Sequence, residues 1–309
     1  MVNLETLSLV VSDTIRAATP LVLASLGELV TEKSGVLNLG VEGMMLIGAV
    51  TGFIATAATG NIFVGFLLAM VAGVAVSLIH AVLTITIGSN QVATGLALSI
   101  FGSGLSSFVG AGYIGQTITP LPRLSIPFFA SIPLFGSALF DQDIVVYVSV
   151  ILVFIVGWFL SKTRTGLILR SVGESPEAAD ALGLPVNLIR YLAVMFGGAT
   201  AALAGAYLSL AYTPLWAENL TAGKGWIAIA IVVFATWKPE RILLGAYLFG
   251  GVSATQLLLQ AMGVNLSPYL LSSLPYLATI LVLVLISRHK TRIQLREPAS
   301  LGKPFRPSH

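Results

Sequence analysis

Three polar clusters interrupt a sequence that is otherwise largely apolar, and each has residue types suited to a particular chemistry. The first lies in GELVTEKSGVLNLGVEGMMLIGA (27–49), where Glu28, Glu32, Lys33, Asn38 and Glu42 break two apolar runs. Carboxylate and amide groups in such a position either line a cavity and meet an ion or polar solute, or sit in a short turn with Glu42 at a helix start. The second lies in GSNQVATGLALSIFGSGLSSFVG (88–110), which opens with Asn90, Gln91 and Thr94 on one side of a helical pattern. Amides that both donate and accept suit hydroxyl-rich or heterocyclic solutes, and serve equally as caps and interhelix hydrogen bonds. The third, SVGESPEAADALG (171–183), sets Glu174, Glu177 and Asp180 around a Ser-Pro pair.

Catalytic constellations are missing from the sequence. It has no cysteine, which excludes thiolate nucleophiles, disulfides and Cys-based metal sites. It has neither G-x-x-x-x-G-K-[ST] nor H-E-x-x-H, so ATP hydrolysis through a P-loop and zinc peptidase chemistry are both excluded. His80, His289 and His309 are scattered, and His80 falls in an apolar run where a hydrogen-bonded packing role is expected. The chain reads as a non-enzyme without a cofactor or metal of its own.

The elements that position these clusters are membrane helices. Of 309 residues, 56% are hydrophobic and only 9% charged, with a mean hydropathy of +0.94. A soluble fold of this size needs more charge to cover its surface, whereas a bilayer solvates apolar side chains from outside. With about 20 apolar residues per crossing, spans are expected at 9–30, 40–58, 62–87, 91–111, 143–161, 189–211, 225–237, 242–261 and 269–287. The fold class is therefore all-α: a polytopic transmembrane bundle of about 8–10 spans forming one domain over 1–309. The span at 225–237 is short enough to be tilted, re-entrant or broken. The stretch 112–142 carries Pro120, Pro122, Pro127 and Pro133 and reads as a packed lid or re-entrant element.

Charge orients the bundle. Residues 162–190 hold seven of the 29 charged residues and 288–309 hold another seven, both segments net basic. The excess of Lys and Arg assigns both to the cytoplasmic side, together with Lys238 to Arg241. The N-terminus and the 112–142 loop then lie outside. Trp216 and Trp226 suit an interfacial belt there, and Lys224, Trp237 and Lys238 suit snorkelling anchors. The N-terminal residues lack the basic start of a cleaved signal peptide.

Local rules also shape the 171–183 cluster. Ser175 is a good N-cap, Pro176 suits the first helical position, Glu177 favours the positive helix end, and Gly183 followed by Pro185 stops the helix. A helix of about two turns is marginal alone in water, so it must dock on its own bundle or on another protein. An ordinary capped loop helix satisfies the same rules.

Taken in order, EKSGVLNLGVEGMMLIGA, NQVATGLAL, TRTGLILRSVGESPEAADALGL and GKGWIAIAIVVFATWKPERILLGAYLFG resemble the permease subunits of ABC importers for nucleosides and simple sugars, relatives of the ribose and branched-chain amino-acid permeases. The resemblance runs from about residue 20 to 287, and SGVLNLGVEGMM is similar to the branch associated with purine nucleosides and lipoprotein receptors. It implies alternating access driven by separate ATPase subunits. Glu174, Ser175, Pro176, Glu177, Ala178, Ala179 and Asp180 would form a cytoplasmic coupling helix within 162–190, and 288–309 a basic cytoplasmic tail. Implied partners are a second permease subunit, two ATP-binding domains, an extracellular or periplasmic binding protein or lipoprotein, and membrane lipid, with no nucleic acid polymer. The location implied is a bacterial or archaeal cytoplasmic membrane. Candidates for the translocation path are Asn38, Glu42, Asn90, Gln91 and Thr94. The competing reading is a stand-alone ion-coupled secondary transporter using Glu42.

Overall fold

The computed structural model describes residues 4–125, 136–261 and 297–306, with scattered positions between 267 and 284. Each long apolar run becomes a helix, since in hydrocarbon every backbone group must find its partner within the segment. The helices are α1 (Leu4–Lys33), α2 (Val41–Thr59), α3 (Ile62–Ala81), α4 (Gln91–Gly110), α5 (Gly136–Phe140), α6 (Ile144–Lys162), α7 (Arg164–Glu174), α8 (Pro176–Ala181), α9 (Val186–Tyr207), α10 (Lys224–Phe234) and α11 (Pro239–Ala261). α3 and α9 each run on into a π turn, Val82–Thr86 and Leu208–Tyr212.

Among the described residues seven helices are long and apolar enough to cross a membrane: α1, α2, α3, α4, α6, α9 and α11. The stretch expected as a seventh crossing at 225–237 is instead α10, with 11 residues. At 1.5 Å per residue it covers only about half of a ~30 Å hydrocarbon core. The expected span at 269–287 lies largely outside the described residues, as does 126–135 of the proline-rich loop. What is described of that loop holds a small antiparallel ladder, β1 (Arg123–Ser125) with β2 (Asp141–Asp143), which an all-α reading did not include. Pro120 and Pro122 precede β1 directly, where helix is disfavoured.

α1, α2 and α9 form the centre, and small residues let their backbones meet. A Cβ on Gly48 of α2 would lie 2.2 Å from the Ala202 carbonyl oxygen of α9, and one on Gly205 would lie 1.8 Å from that of Met45. Without a solvent-driven force between helices in lipid, such close packing and buried polar contacts hold a bundle together. α3, α4, α6 and α11 surround this centre and turn apolar faces outward, including Ile100, Phe108, Phe154 and Trp158. Such faces are large for water and ordinary for lipid.

Candidate functional site

Glu28, Glu32, Asn38 and Glu42 of the first cluster are buried almost completely, with partners spread along the chain, and Lys33 is partly exposed. α1 carries Glu28 and Glu32 one turn apart, both 1% exposed. Glu28 Oε1 accepts the backbone N–H of Asn38 at 3.1 Å, and Glu32 Oε2 accepts the indole N–H of Trp237. Asn38 is fully buried: its Oδ1 closes a turn on the Gly40 N–H at 2.9 Å and its amide nitrogen contacts Met44 Sδ at 3.6 Å. The buried loop 34–40 is therefore stitched to α1 by its own side chains.

Glu42, in the first turn of α2, receives the Thr221 hydroxyl and the N–H groups of Gly223 at 2.8 Å and Gly225 at 2.6 Å. Gly223 and Gly225 flank the start of α10, so the carboxylate sits at the positive end of that half-length helix. The sequence reading set a cavity-facing Glu42 against one that decorates the start of its own helix. The structure shows a third arrangement, in which the acid caps a different helix about 180 residues on. Thr236 and Trp237, just past the other end of α10, have positive φ of 50° and 53°, a conformation rare for residues with a Cβ. The Trp237–Glu32 bond holds that end. Two buried acids thus fix the two ends of one short helix.

Two expected interfacial tryptophans are interior residues. Trp216 is fully buried against Ala49, Val50 and Phe53, and Trp237 is 5% exposed. Trp226, at 39% exposed, keeps a place on the surface.

The start of α4 divides its three candidates. Asn90 is the N-cap, accepting the Ala93 N–H at 3.0 Å, and the Thr94 hydroxyl donates back to the Asn90 carbonyl at 2.8 Å. Gln91 is 3% exposed and reaches across the bundle, accepting the Leu37 N–H at 2.7 Å. Thr94 also lines a cleft of about 560 Å³ with His80, Ala97 and Phe101. The structure places Asn38, Gln91 and His80 around Leu37, whose carbonyl faces His80 Nε2 at 3.1 Å, while Glu42 turns toward α10.

At the end of the bundle where α6 stops, the chain turns at Thr163, which caps α7 through the Gly166 N–H at 3.0 Å. Ser175 caps α8 by accepting the Ala178 N–H at 3.4 Å, and Gly183 ends it at φ 76°. α8 buries Pro176 and Ala179 and exposes Glu177, Ala178 and Ala181, with Glu174 and Leu182 exposed on either side. Leu182 is 80% exposed, a bare apolar side chain beside the acids.

Sequence reasoning missed the residue that ties this segment to the bundle. Arg190 of α9 is 1% exposed. It donates to the Ser34 carbonyl at 3.1 Å and to the Ser300 hydroxyl at 3.2 Å, and its guanidinium lies 5.7 Å from the centre of the Phe305 ring. Glu177 of α8 supplies a compensating negative charge. Ser300 in turn holds the Gly173 carbonyl through its hydroxyl at 2.6 Å and its N–H at 3.1 Å. Phe305 packs with Val172, Ala179 and Val186. A Cβ on Gly35, at φ 87°, would fall 2.3 Å from Ser300 Oγ, so only glycine fits in that loop. The described end of the basic tail, 297–306, is thus a docked strap and not a free charged segment. The signal available was Arg190 itself, a lone arginine at the head of an apolar run.

The chain matches the family described as branched-chain amino acid transport system / permease component over residues 10–286. It is 43% identical to TsgC13 of Haloferax volcanii, provisionally named a glucose ABC transporter permease protein, covering 94% of this chain and 95% of that one. It is 33% identical to the guanosine ABC transporter permease protein NupQ of Bacillus subtilis, covering 90% and 92%. Haloferax volcanii also has the glucose ABC transporter permease protein TsgB13, 29% identical over 75% of this chain and 65% of that one.

Proposed function

The chain belongs to the branched-chain amino acid transport system / permease component family, and from that membership we propose that it is the membrane-spanning subunit of an ATP-driven importer for a simple sugar or a nucleoside. The observation that carries this reading is the end-to-end match to transport permeases named for glucose and for guanosine. Both solutes present a ring bearing several hydroxyls, which buried amides and hydroxyls recognise by hydrogen bonding. Asn38, Asn90, Gln91 and Thr94 stay candidates for the translocation path. Glu42 contributes to it by fixing α10, since its carboxylate already receives three donors.

In this reading α8 is the coupling helix. Glu174 and Glu177, the half-exposed Asp180 and the bare Leu182 meet a groove in an ATPase subunit, and closure of two ATPases moves the segment against the bundle. Ser175, Pro176, Ala178 and Ala179 give the helix its cap, its start and its close-packing face. The motor, with its ATP, is a separate polypeptide, which fits a chain lacking a P-loop. The end holding α7 and α8 faces the cytoplasm of a bacterium or archaeon, because its Lys and Arg excess favours that side. TsgC13 and TsgB13 from one organism support a second, different permease as the partner across the membrane. An external binding protein or lipoprotein delivers the solute.

The test is uptake of radiolabelled glucose and guanosine into liposomes holding the chain with its second permease, its ATPases and its binding protein. ATP-dependent uptake of one solute is expected, and replacing 174–180 by Gly and Ser should abolish it while leaving the protein folded. Uptake by the chain alone, driven by an ion gradient without ATP, would overturn the reading.

A further inference from the structure

We infer that the strap 297–306 is the positioning element through which movement of α8 reaches the start of α4 and the loop 34–40. The inference rests on the reading of α8 as the coupling helix, and adds a route from that helix to the candidate path residues. α8 has six residues and buries Pro176 and Ala179. Ala179 enters a cluster with Val172, Val186 and Phe305, where the largest side chain belongs to the strap. A short helix seated on a packed ring moves with that ring, because close-packed side chains transmit strain and do not absorb it.

From Phe305 the strap leads back to α4. Pro304 lies beside the turn before that helix, where a Cβ on Gly88 would stand 4.0 Å from the proline Cβ. The Lys303 carbonyl accepts from Gln91 Nε2 over a long 3.5 Å, and Gln91 Oε1 holds the Leu37 N–H at 2.7 Å. Leu37 adjoins Asn38, so a single amide joins the strap to the loop that carries another candidate. Ser300 grips the Gly173 carbonyl twice and meets Arg190, whose guanidinium also holds the Ser34 carbonyl. The strap therefore joins α7, α8 and α9 to α4 and the loop 34–40. α7 meets α1 without it, since a Cβ on Gly173 would fall 2.2 Å from the Lys33 carbonyl oxygen. What the strap adds is the connection between α8 and α4.

A connector transmits only if it is stiff. The Leu301 N–H donates to the Pro298 carbonyl and the Lys303 N–H to the Ser300 carbonyl, both at 3.0 Å, folding the strap into consecutive turns. Pro298 and Pro304 have φ fixed by their rings. Pro298, Ser300 and Phe305 are buried, while Glu297, Lys303 and Arg306 are exposed. A tail that served only to place charge at the membrane surface would need neither the turns nor the buried anchors.

The test uses the complete transporter in liposomes, with uptake of radiolabelled glucose and guanosine and ATP hydrolysis measured on the same vesicles. Phe305→Ala should lower uptake per ATP hydrolysed about tenfold, while the ATPases stay bound and hydrolyse ATP at the parental rate. Phe305→Leu, which refills the cluster, should restore most of the ratio. Pro304→Gly spares the ring but slackens the strap beside Gly88, and should lower the ratio with an unfolding temperature close to the parent's. A merely structural role would lower uptake and hydrolysis in proportion. That outcome, or an unchanged ratio in both Phe305→Ala and Pro304→Gly, would overturn the inference. Hydrogen exchange separates it from the coupling reading. A non-hydrolysable ATP analogue added to the parent should change exchange at 176–181, 34–40 and 88–94, and in Phe305→Ala only the change at 176–181 should persist. Persistence of all three in the variant overturns the strap alone. No change at 176–181 in the parent overturns the coupling reading and the strap with it.

Discussion

Glu28, Glu32 and Glu42 are acids in an oily chain, and so are Glu174, Glu177 and Asp180, yet the two sets live in opposite surroundings. The first three are at most 7% exposed and each accepts from groups of this same chain, a loop N–H, an indole N–H and the start of α10, although Glu28 Oε2 is left without a donor. In the second set Glu174 and Glu177 are exposed and Asp180 is half-exposed, on a segment whose helix is capped by Ser175. A buried carboxylate is retained only where donors compensate for lost water, so its role is set by the interior. An exposed one costs little to keep and gains most by meeting a partner. The difference separates acids enclosed within the bundle from acids left on its surface.

Substitutions can break that contrast. The largest effect is expected for Glu42→Ala, which leaves a hydroxyl and two N–H groups buried without an acceptor. At about 1–3 kcal/mol for each unsatisfied group, a loss of roughly 4 kcal/mol should appear as a much lower unfolding temperature in detergent. Normal stability would mean that Glu42 does not brace α10. Trp237→Phe removes the indole hydrogen bond to Glu32 and some packing, and should cost about 2 kcal/mol by the same measurement. Phe305→Ala loosens the strap over α7 and α8, and a loss of about 1–2 kcal/mol is expected because the side chain sits in a small cluster at the edge of the core. Its specific signature is faster hydrogen exchange at 173–186, with exchange in α2 unchanged. Smallest should be Glu174→Gln, within about 0.5 kcal/mol of the parent in stability, since Glu177 also offsets the charge of the buried Arg190. That variant should nevertheless lower ATP-dependent uptake, and parental uptake would move Glu174 out of the coupling contact.

How much was legible in the sequence follows the same division. The capped helix at 176–181 could be read because Ser175, Pro176 and Gly183 act on their immediate neighbours. Most spans could be read because apolar runs of 19 to 27 residues leave few other structures open. The partners of Glu42 and Glu32 could not be read, lying about 180 and 205 residues further on with no local pattern to link them. Trp216 and Trp237 misled for a related reason: a tryptophan at the end of an apolar run reads as a surface anchor until tertiary packing encloses it. The 11 residues of α10 were visible as a short run, but only the acids at its two ends explain how a half-length helix persists inside a membrane protein.

The strap on Arg190 has a consequence for how the protein is made. Arg190 and its partner Ser300 are 110 residues apart, which at about 5–20 residues per second is an interval of roughly 5–20 s on the ribosome. During that time the guanidinium has the Ser34 carbonyl within reach but neither Ser300 nor the Phe305 ring. A newly inserted α9 must therefore hold this arginine at the water boundary, and its final depth in the bilayer is reached only when the strap arrives. A nascent chain stalled before residue 300 would display an unsheltered cation beside α7 and α8, a mark by which unfinished copies differ from finished ones.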